Sequence, residues 1–178
     1  MTRHVVLLRG VNLGSRNRIA MPELRALLTD AGFDDVATYV QSGNVVVSSR
    51  RAPERVAREV ERLLESRLGL EIDVVVRTRD ELVQVVRRNP LREVATDPKR
   101  YQVTFLAAEL PAQTLRELGE LAHAQERFAA HGRELYAWHP AGVARSKLWA
   151  RLASHDLGVA ATSRNWTTVT KLLELAEA

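Results

Sequence analysis

Two short polar segments, residues 9–18 and 162–167, hold the side chains of this sequence best suited to chemistry. The first reads RGVNLGSRNR and the second TSRNWT, so both are rich in Arg, Asn, Ser or Thr, and neither contains a carboxylate. Such side chains donate hydrogen bonds and bind anions, but they do not serve as proton shuttles near neutral pH. Both segments therefore predict anion binding rather than general acid–base catalysis.

The first segment follows an apolar, strand-like run and precedes a predicted helix. Its glycines let the backbone approach a ligand closely, and the N-terminus of a helix favours anions. The candidate ligand-binding residues are Arg9, Asn12, Arg16, Asn17 and Arg18. Their spacing matches neither the G-x-x-x-x-G-K-S/T phosphate loop nor the G-x-G-x-x-G dinucleotide motif. The alternative interpretation is a long exposed loop with ordinary turn residues.

A second polar group follows the next predicted strand, in the turn 41–44. Its candidate ligand-binding residues are Gln41, Ser42 and Asn44. The alternative is structural, because Gly43 followed by Asn44 readily forms a hairpin turn. A binding role becomes as well supported as the structural one if this turn lies beside residues 9–18.

The second half offers Ser146 and Lys147, and then Thr162, Arg164 and Asn165, as candidate ligand-binding residues. A serine at a helix start beside a lysine suits an anion, and it equally suits a helix cap and its neighbour. Residues 162–167 have the same two interpretations. Asn165 or Ser163 could cap the last helix, with Trp166 anchoring that helix in the core.

The hydrophobic pattern indicates which elements position these residues, and it predicts the order β-α-β-β-α-β in each half. In the first half, strands are predicted at 5–8, 36–40, 45–49 and 70–76, with helices beginning at Pro22 and Pro53. In the second half, strands are predicted at 101–106, 125–130, 134–138 and 159–163, with helices beginning at Pro111 and Ser146 and a closing helix from Trp166.

This order predicts an α+β fold of two tandem ferredoxin-like (βαββαβ) subdomains. The first subdomain covers residues 1–77. A connecting helix and loop cover 78–99, because the capping box at 78–81 begins a helix that stops before Pro90. The second subdomain, with the C-terminal helix, covers 100–178.

The strand order also predicts which loops meet. In a β-α-β-β-α-β sheet, strands 1 and 2 point the same way, so residues 9–18 and 41–44 share one end of the first sheet. Strands 3 and 4 point the opposite way, which places residues 139–147 beside 162–167 in the second half. If the halves pack with these ends together, they form one basic cleft, and domain junctions are common binding sites.

Composition limits the remaining possibilities. The chain has 178 residues with 46% hydrophobic and 27% charged side chains, a net charge of +4 and no cysteine. No apolar run approaches a membrane span or a signal-peptide core, so we expect a cytoplasmic protein of bacterial type with no membrane partner. The five histidines lack metal-ligand spacing, and no cofactor or metal is predicted. Aromatic residues make up 5% of the chain, which argues against a base-stacking sheet surface.

Three ordered motifs resemble one bacterial family, the one catalogued as domain of unknown function 1697. They are LRGVNLG at residues 8–14, YVQSGNVV at 39–46, and SKL at 146–148 followed by TSRNWTTV at 162–169. The resemblance extends over essentially the whole chain. It implies two alpha-beta-plait subdomains and no established activity.

These features leave three functions open. The favoured one is binding of a phosphate-bearing ligand, a nucleic acid or a nucleotide, by the acid-free basic segments. The second is an enzyme acting on a small anionic metabolite or nucleotide, with Arg9, Arg164 and Lys147 stabilising charge; no proton-transfer group is identified for it. The third is a structural or protein-interaction module in which Arg164 and Asn165 lock the two halves together. The sequence does not indicate an oligomeric state.

Overall fold

The structure, a computed structural model, describes residues 1–178 and has an α+β fold with two four-stranded antiparallel sheets and six α-helices. Two compact units divide the chain. The first contains Met1–Gln84 and Lys171–Ala178, and the second contains Val85–Thr170. The division falls within the third helix and within the last helix. None of the helices combines the length and the apolar character needed to cross a membrane.

The sheet of the first unit and the helices between its strands follow the predicted element order. Its strands are β1 (Thr2–Leu8), β2 (Asp34–Tyr39), β3 (Asn44–Ser49) and β4 (Val74–Thr78), and its helices are α1 (Met21–Asp30), α2 (Pro53–Leu68) and the start of α3 (Arg79–Arg88). The strands lie in the order β2-β3-β1-β4, so β1 and β3 form the centre. Both central strands are almost fully buried.

Proline positions and helical periodicity explain the two long helices. Pro22 and Pro53 lie in the first turn of α1 and α2, where a missing N–H costs nothing. Helix α2 ends at Gly69, which adopts a left-handed backbone with φ 66°. Both helices pack their apolar faces against one side of the sheet to form a continuous core with residues such as Val6 and Val45.

The second unit repeats this arrangement. Its strands are β5 (Tyr101–Leu106), β6 (Arg127–His131), β7 (Glu134–Trp138) and β8 (Ala161–Asn165), and its helices are α4 (Ala112–Leu121), α5 (Lys147–Leu152) and the start of α6 (Trp166–Glu177). The strand order is β6-β7-β5-β8. The ring of Tyr101 stacks on Trp166 with 4.9 Å between centroids, which packs the start of α6 against β5.

Three strands lie later in the sequence than predicted, and one of them is β6, which covers Arg127–His131 instead of 125–130. Strand β4 covers Val74–Thr78 instead of 70–76, because its partner β1 ends at Leu8, which pairs with Val74, and because pairing extends to Thr78 opposite His4. Strand β8 covers Ala161–Asn165 instead of 159–163, since β5 pairs with it only from Ala161 onward. Thr162, Arg164 and Asn165 therefore lie within a strand, and α6 begins at the next residue.

The capping box between β4 and α3 is confirmed. The backbone N–H of Glu81 donates to Thr78 Oγ1 at 3.1 Å, and the backbone N–H of Thr78 donates to Glu81 Oε2 at 2.8 Å. These two bonds satisfy amide groups that the first turn of a helix otherwise leaves unpaired.

Candidate functional site

Asn12 fastens the loop after β1 to the turn after β2. Its Nδ2 donates to the carbonyl oxygens of Ile19 at 2.9 Å and Gln41 at 2.7 Å, and its Oδ1 accepts from the N–H of Ile19 at 2.8 Å. The two segments thus meet at one end of the sheet, as the strand order predicts. We call residues 9–18 and 40–44 together the first rim.

Asn17 completes the internal bonding of this loop. Its Nδ2 donates to the carbonyl of Gly10 at 3.3 Å, and its own carbonyl accepts from the N–H of Asn12 at 3.0 Å. Both asparagines have a left-handed backbone, with φ 56° for Asn12 and 49° for Asn17. Asparagine tolerates this conformation better than most residues. The side-chain donors of these two predicted ligand residues therefore form hydrogen bonds that hold the loop in shape.

The turn within the first rim is tightly packed on one side and exposed on the other. Gly43 is buried with φ 74°, and its carbonyl accepts from the N–H of Leu8 at 2.9 Å. Asn44 is fully buried, and its Nδ2 donates to the carbonyl of Tyr39 at 3.2 Å. Gln41 and Ser42 are exposed. Asn44 is thus placed to hold the turn, while Gln41 and Ser42 face solvent.

Arg16 and Arg18 are the exposed cations of the first rim. Arg18 donates to the carbonyl of Gly14 at 3.0 Å, which holds its guanidinium beside the loop without neutralising its charge. Arg9 is half-buried, and its backbone N–H donates to the carbonyl of Asp73 at 3.0 Å. The rim therefore presents positive charge on a loop whose shape is fixed from within.

Two large aliphatic side chains are also exposed at the first rim. Leu13 is 70% exposed and Val40 is 54% exposed. Val40 has φ 50°, a conformation that β-branched residues rarely adopt because the side chain crowds the backbone. Backbone strain of this kind is most often found at binding and active sites.

The candidate residues of the second unit are mostly engaged within the protein. Asn165 Oδ1 accepts from the N–H of Thr168 at 2.9 Å and so caps α6. Arg164 donates to Thr162 Oγ1 at 2.7 Å and to the carbonyl of Ser163 at 2.9 Å. Burial lowers the pKa of Arg164 to about 10. Lys147, at the start of α5, is exposed.

A partly buried polar cluster in the second unit, composed of Glu126, His139 and Ser146, was not predicted. Glu126 Oε2 lies 2.5 Å from His139 Nδ1 and accepts from Ser146 Oγ at 2.6 Å. Ser146 Oγ also accepts from the N–H of Trp149 at 3.0 Å and caps α5. The only sequence signal for this cluster was the serine at the helix start. Glu126 precedes an edge strand and has no distinctive motif around it.

The geometry of the Glu126 cluster fits a structural brace and does not fit a nucleophilic triad. A triad needs the serine on one ring nitrogen and the carboxylate on the other. Here Ser146 and Glu126 both lie at Nδ1 of His139, while Nε2 is buried with no partner. Burial by itself would raise the pKa of Glu126. Hydrogen bonds from Ser146, His139 and the His123 amide outweigh it and hold that pKa below its usual value.

Comparison with known proteins identifies the family of the chain. The family model described as "Protein of unknown function (DUF1697)" matches residues 1–136. The chain belongs to the DUF1697 family. The matched range contains the first rim and Glu126. Residues 146–148 and 162–169 lie beyond it. Among curated proteins, none matches the chain.

A solved structure shares the fold along nearly the whole chain. It is described as the structure of conserved bacterial protein SP0830 from Streptococcus pneumoniae, and it matches with a TM-score of 0.75 and 22% identity over 98% of each chain.

No group of three or more His, Asp or Glu side chains is arranged to hold a metal ion. With Arg16 and Arg18 exposed, the first rim can donate hydrogen bonds to an anion and attract it by positive charge.

Proposed function

We propose that this DUF1697 protein binds a phosphate-bearing ligand, a nucleic acid or a nucleotide, at the first rim. The observation that carries this proposal is the exposed pair Arg16 and Arg18 on a loop that Asn12 and Asn17 fasten from within. A loop that is already ordered loses little conformational entropy when a ligand binds. Guanidinium groups suit bidentate contacts with phosphate oxygens, and the Gly14 carbonyl holds that of Arg18 beside the loop.

The charge of the surrounding sequence supports an anionic ligand. Residues 1–22 contain four arginines and no aspartate or glutamate, so no carboxylate within this segment competes for Arg16 or Arg18. Leu13 and Val40 extend the same rim with exposed aliphatic surface. That surface favours a ligand with an apolar part, such as a base, over inorganic phosphate.

We also propose that each unit is a ferredoxin-like plait, since the strand orders β2-β3-β1-β4 and β6-β7-β5-β8 follow the split-βαβ arrangement. The single basic cleft expected from the sequence stays a prediction, and binding at the first rim does not require it. Among the candidate residues of the second unit, Lys147 is exposed, whereas Ser146, Thr162, Arg164 and Asn165 form hydrogen bonds within the protein.

Titration of labelled single-stranded RNA and DNA, followed by fluorescence anisotropy at two salt concentrations, tests this proposal. Replacing Arg16 and Arg18 by glutamine should weaken binding and lower the slope of log K against log salt by about 1.4, at about 0.7 per phosphate contact. A double control, Arg67→Gln with Arg87→Gln, removes the same charge from exposed positions elsewhere. Absence of binding at low salt, or equal loss in the control, would contradict the proposal.

A further inference from the structure

Helix α2 has an exposed stripe of three arginines, Arg55, Arg58 and Arg62, which we call the arginine stripe. At about 3.6 residues per turn, these positions fall within an arc of about 60° on the helix surface. Together with Glu59 they line a surface concavity of about 410 Å³. The stripe lies on a different element from the first rim, and the proposed function does not involve it.

The carboxylates that could neutralise the stripe are held by other partners. Glu59 is spaced one turn from Arg55 and Arg62, but its Oε2 pairs with Arg51 at 2.9 Å. Arg51 is itself held with its guanidinium 4.7 Å above the ring of Phe33. The charge of Glu59 is therefore shared with a cation outside the stripe.

Glu61 is engaged in the same way. It is spaced one turn from Arg58, yet its Oε1 accepts from the backbone N–H of Val74 at 3.0 Å, at the start of β4. The exposed acids Glu54 and Glu65 form no ion pair with the stripe either. The concavity thus keeps an excess of positive charge, although the helix as a whole contains equal numbers of arginines and glutamates.

The dimensions of the stripe suit a polymer of phosphates. With a rise of about 1.5 Å per residue, Arg55 and Arg62 are about 10.5 Å apart along the helix axis. Laid along the axis of a duplex, that length spans about three base-pair steps, at about 3.4 Å each. The lining contains only charged side chains, with no aromatic or apolar group to hold an unstacked base. Contacts of this kind position a duplex without reading its sequence.

We propose that the arginine stripe of α2 binds the phosphate backbone of double-stranded nucleic acid without sequence preference. Its guanidinium groups contact neighbouring phosphates of the backbone, and the concavity between them accommodates that backbone. Glu59 is the one carboxylate in the concavity and weakens this contact.

Anisotropy titration of two labelled DNA duplexes of unrelated sequence tests the stripe in the full chain. Replacing Arg58 and Arg62 by glutamine should weaken binding of both duplexes equally and lower the salt slope by about 1.8, at about 0.9 per contact. Glu59→Gln should strengthen binding. Arg67→Gln, on the same helix but about 140° away from Arg62, should have little effect. These side chains are at least partly exposed, so circular dichroism should show unchanged folding.

Several outcomes would overturn the assignment. Equal duplex affinity in the Arg58→Gln/Arg62→Gln variant and the wild type would show that the arginine stripe does not bind the duplex. Loss of duplex binding only in the Arg16→Gln/Arg18→Gln variant would place the duplex at the first rim and leave the proposed function intact. If polyglutamate displaces the labelled duplex as strongly as unlabelled duplex does, the arginine stripe is a surface for acidic proteins instead.

Discussion

Replacement of Gly43 by alanine tests how tightly the first rim is packed onto the sheet. A Cβ at this position would lie 2.6 Å from Val11 Cγ2 and 2.8 Å from Leu8 Cβ. Both distances are far inside van der Waals contact, and both neighbours are buried. Residue 43 must also keep φ near 74°, because its carbonyl accepts from the N–H of Leu8.

The expected cost has two parts. A left-handed backbone costs a residue with a side chain roughly 1–2 kcal/mol, and overpacking a core costs about 1–3 kcal/mol, so Gly43→Ala should lose about 2–5 kcal/mol. Gly10→Ala is the matched control, because Gly10 has φ 68° and no atom within 4 Å of its Cβ position. The control should lose only the first part, about 1–2 kcal/mol.

The two units can be followed separately in this experiment. All three tryptophans, Trp138, Trp149 and Trp166, belong to the second unit, so their fluorescence follows that unit during unfolding in urea. Far-ultraviolet circular dichroism follows both units, and hydrogen exchange of β1 and β3 amides reports on the first. Equal destabilisation by Gly43→Ala and Gly10→Ala would refute the packing argument.

Three further predictions concern groups already described. Asn165→Ala removes the cap of α6 and should cost about 1 kcal/mol in thermal unfolding, whereas Thr167→Ala at the exposed neighbour should cost less. The pKa of Glu126 is lower in the folded chain than its unfolded pKa of 4.5. Glu126 therefore stabilises the fold above pH 4.5, and this stabilisation is lost as the pH falls through the folded-state pKa. The stability gap between wild type and Glu126→Gln at pH 7 should therefore narrow on acidification in urea titrations, and a constant gap would argue against the linkage. Burial lowers the pKa of His4 from 6.5, so the unfolded chain takes up the proton first and stability falls as pH drops below 6.5. His4→Leu should show a smaller loss of stability between pH 7 and pH 5, and identical pH profiles would contradict this reasoning.

The sequence predicted the order of the elements because hydrophobic periodicity and proline positions are local signals. Strand β5 was predicted with the bounds that the structure shows, and the capping box at Thr78 was found from its spacing alone. The limits of β4 and β8 could not be read from the sequence in this way. They depend on where the partner strand ends, and apolar residues such as Leu70 and Val159 continue the hydrophobic pattern beyond the paired region.

The candidate site shows a different limit, because one residue type can signal either a ligand or a backbone conformation. Asn12 and Asn17 look like free hydrogen-bond donors in the sequence, but asparagine and glycine also occupy left-handed positions more readily than other residues. In the structure, Gly10, Asn12, Gly14 and Asn17 all have positive φ. The side-chain amides of Asn12 and Asn17 hold the loop, and Arg16 and Arg18, next to Asn17 in the sequence, remain exposed.

Their hydrogen bonds distinguish the two donor-rich segments, residues 9–18 and 162–167, more clearly than their composition does. In β8, Thr162 and Ser163 accept from Arg164 and Asn165 caps α6, so the polar side chains stabilise their own surroundings. At the first rim the asparagines fix the loop, and Arg16 and Arg18 still face solvent. A buried, satisfied donor contributes to folding, whereas a positioned and exposed cation can still gain energy from an anion. For this reason the first rim, and not residues 162–167, is where a change of charge should alter binding more than stability.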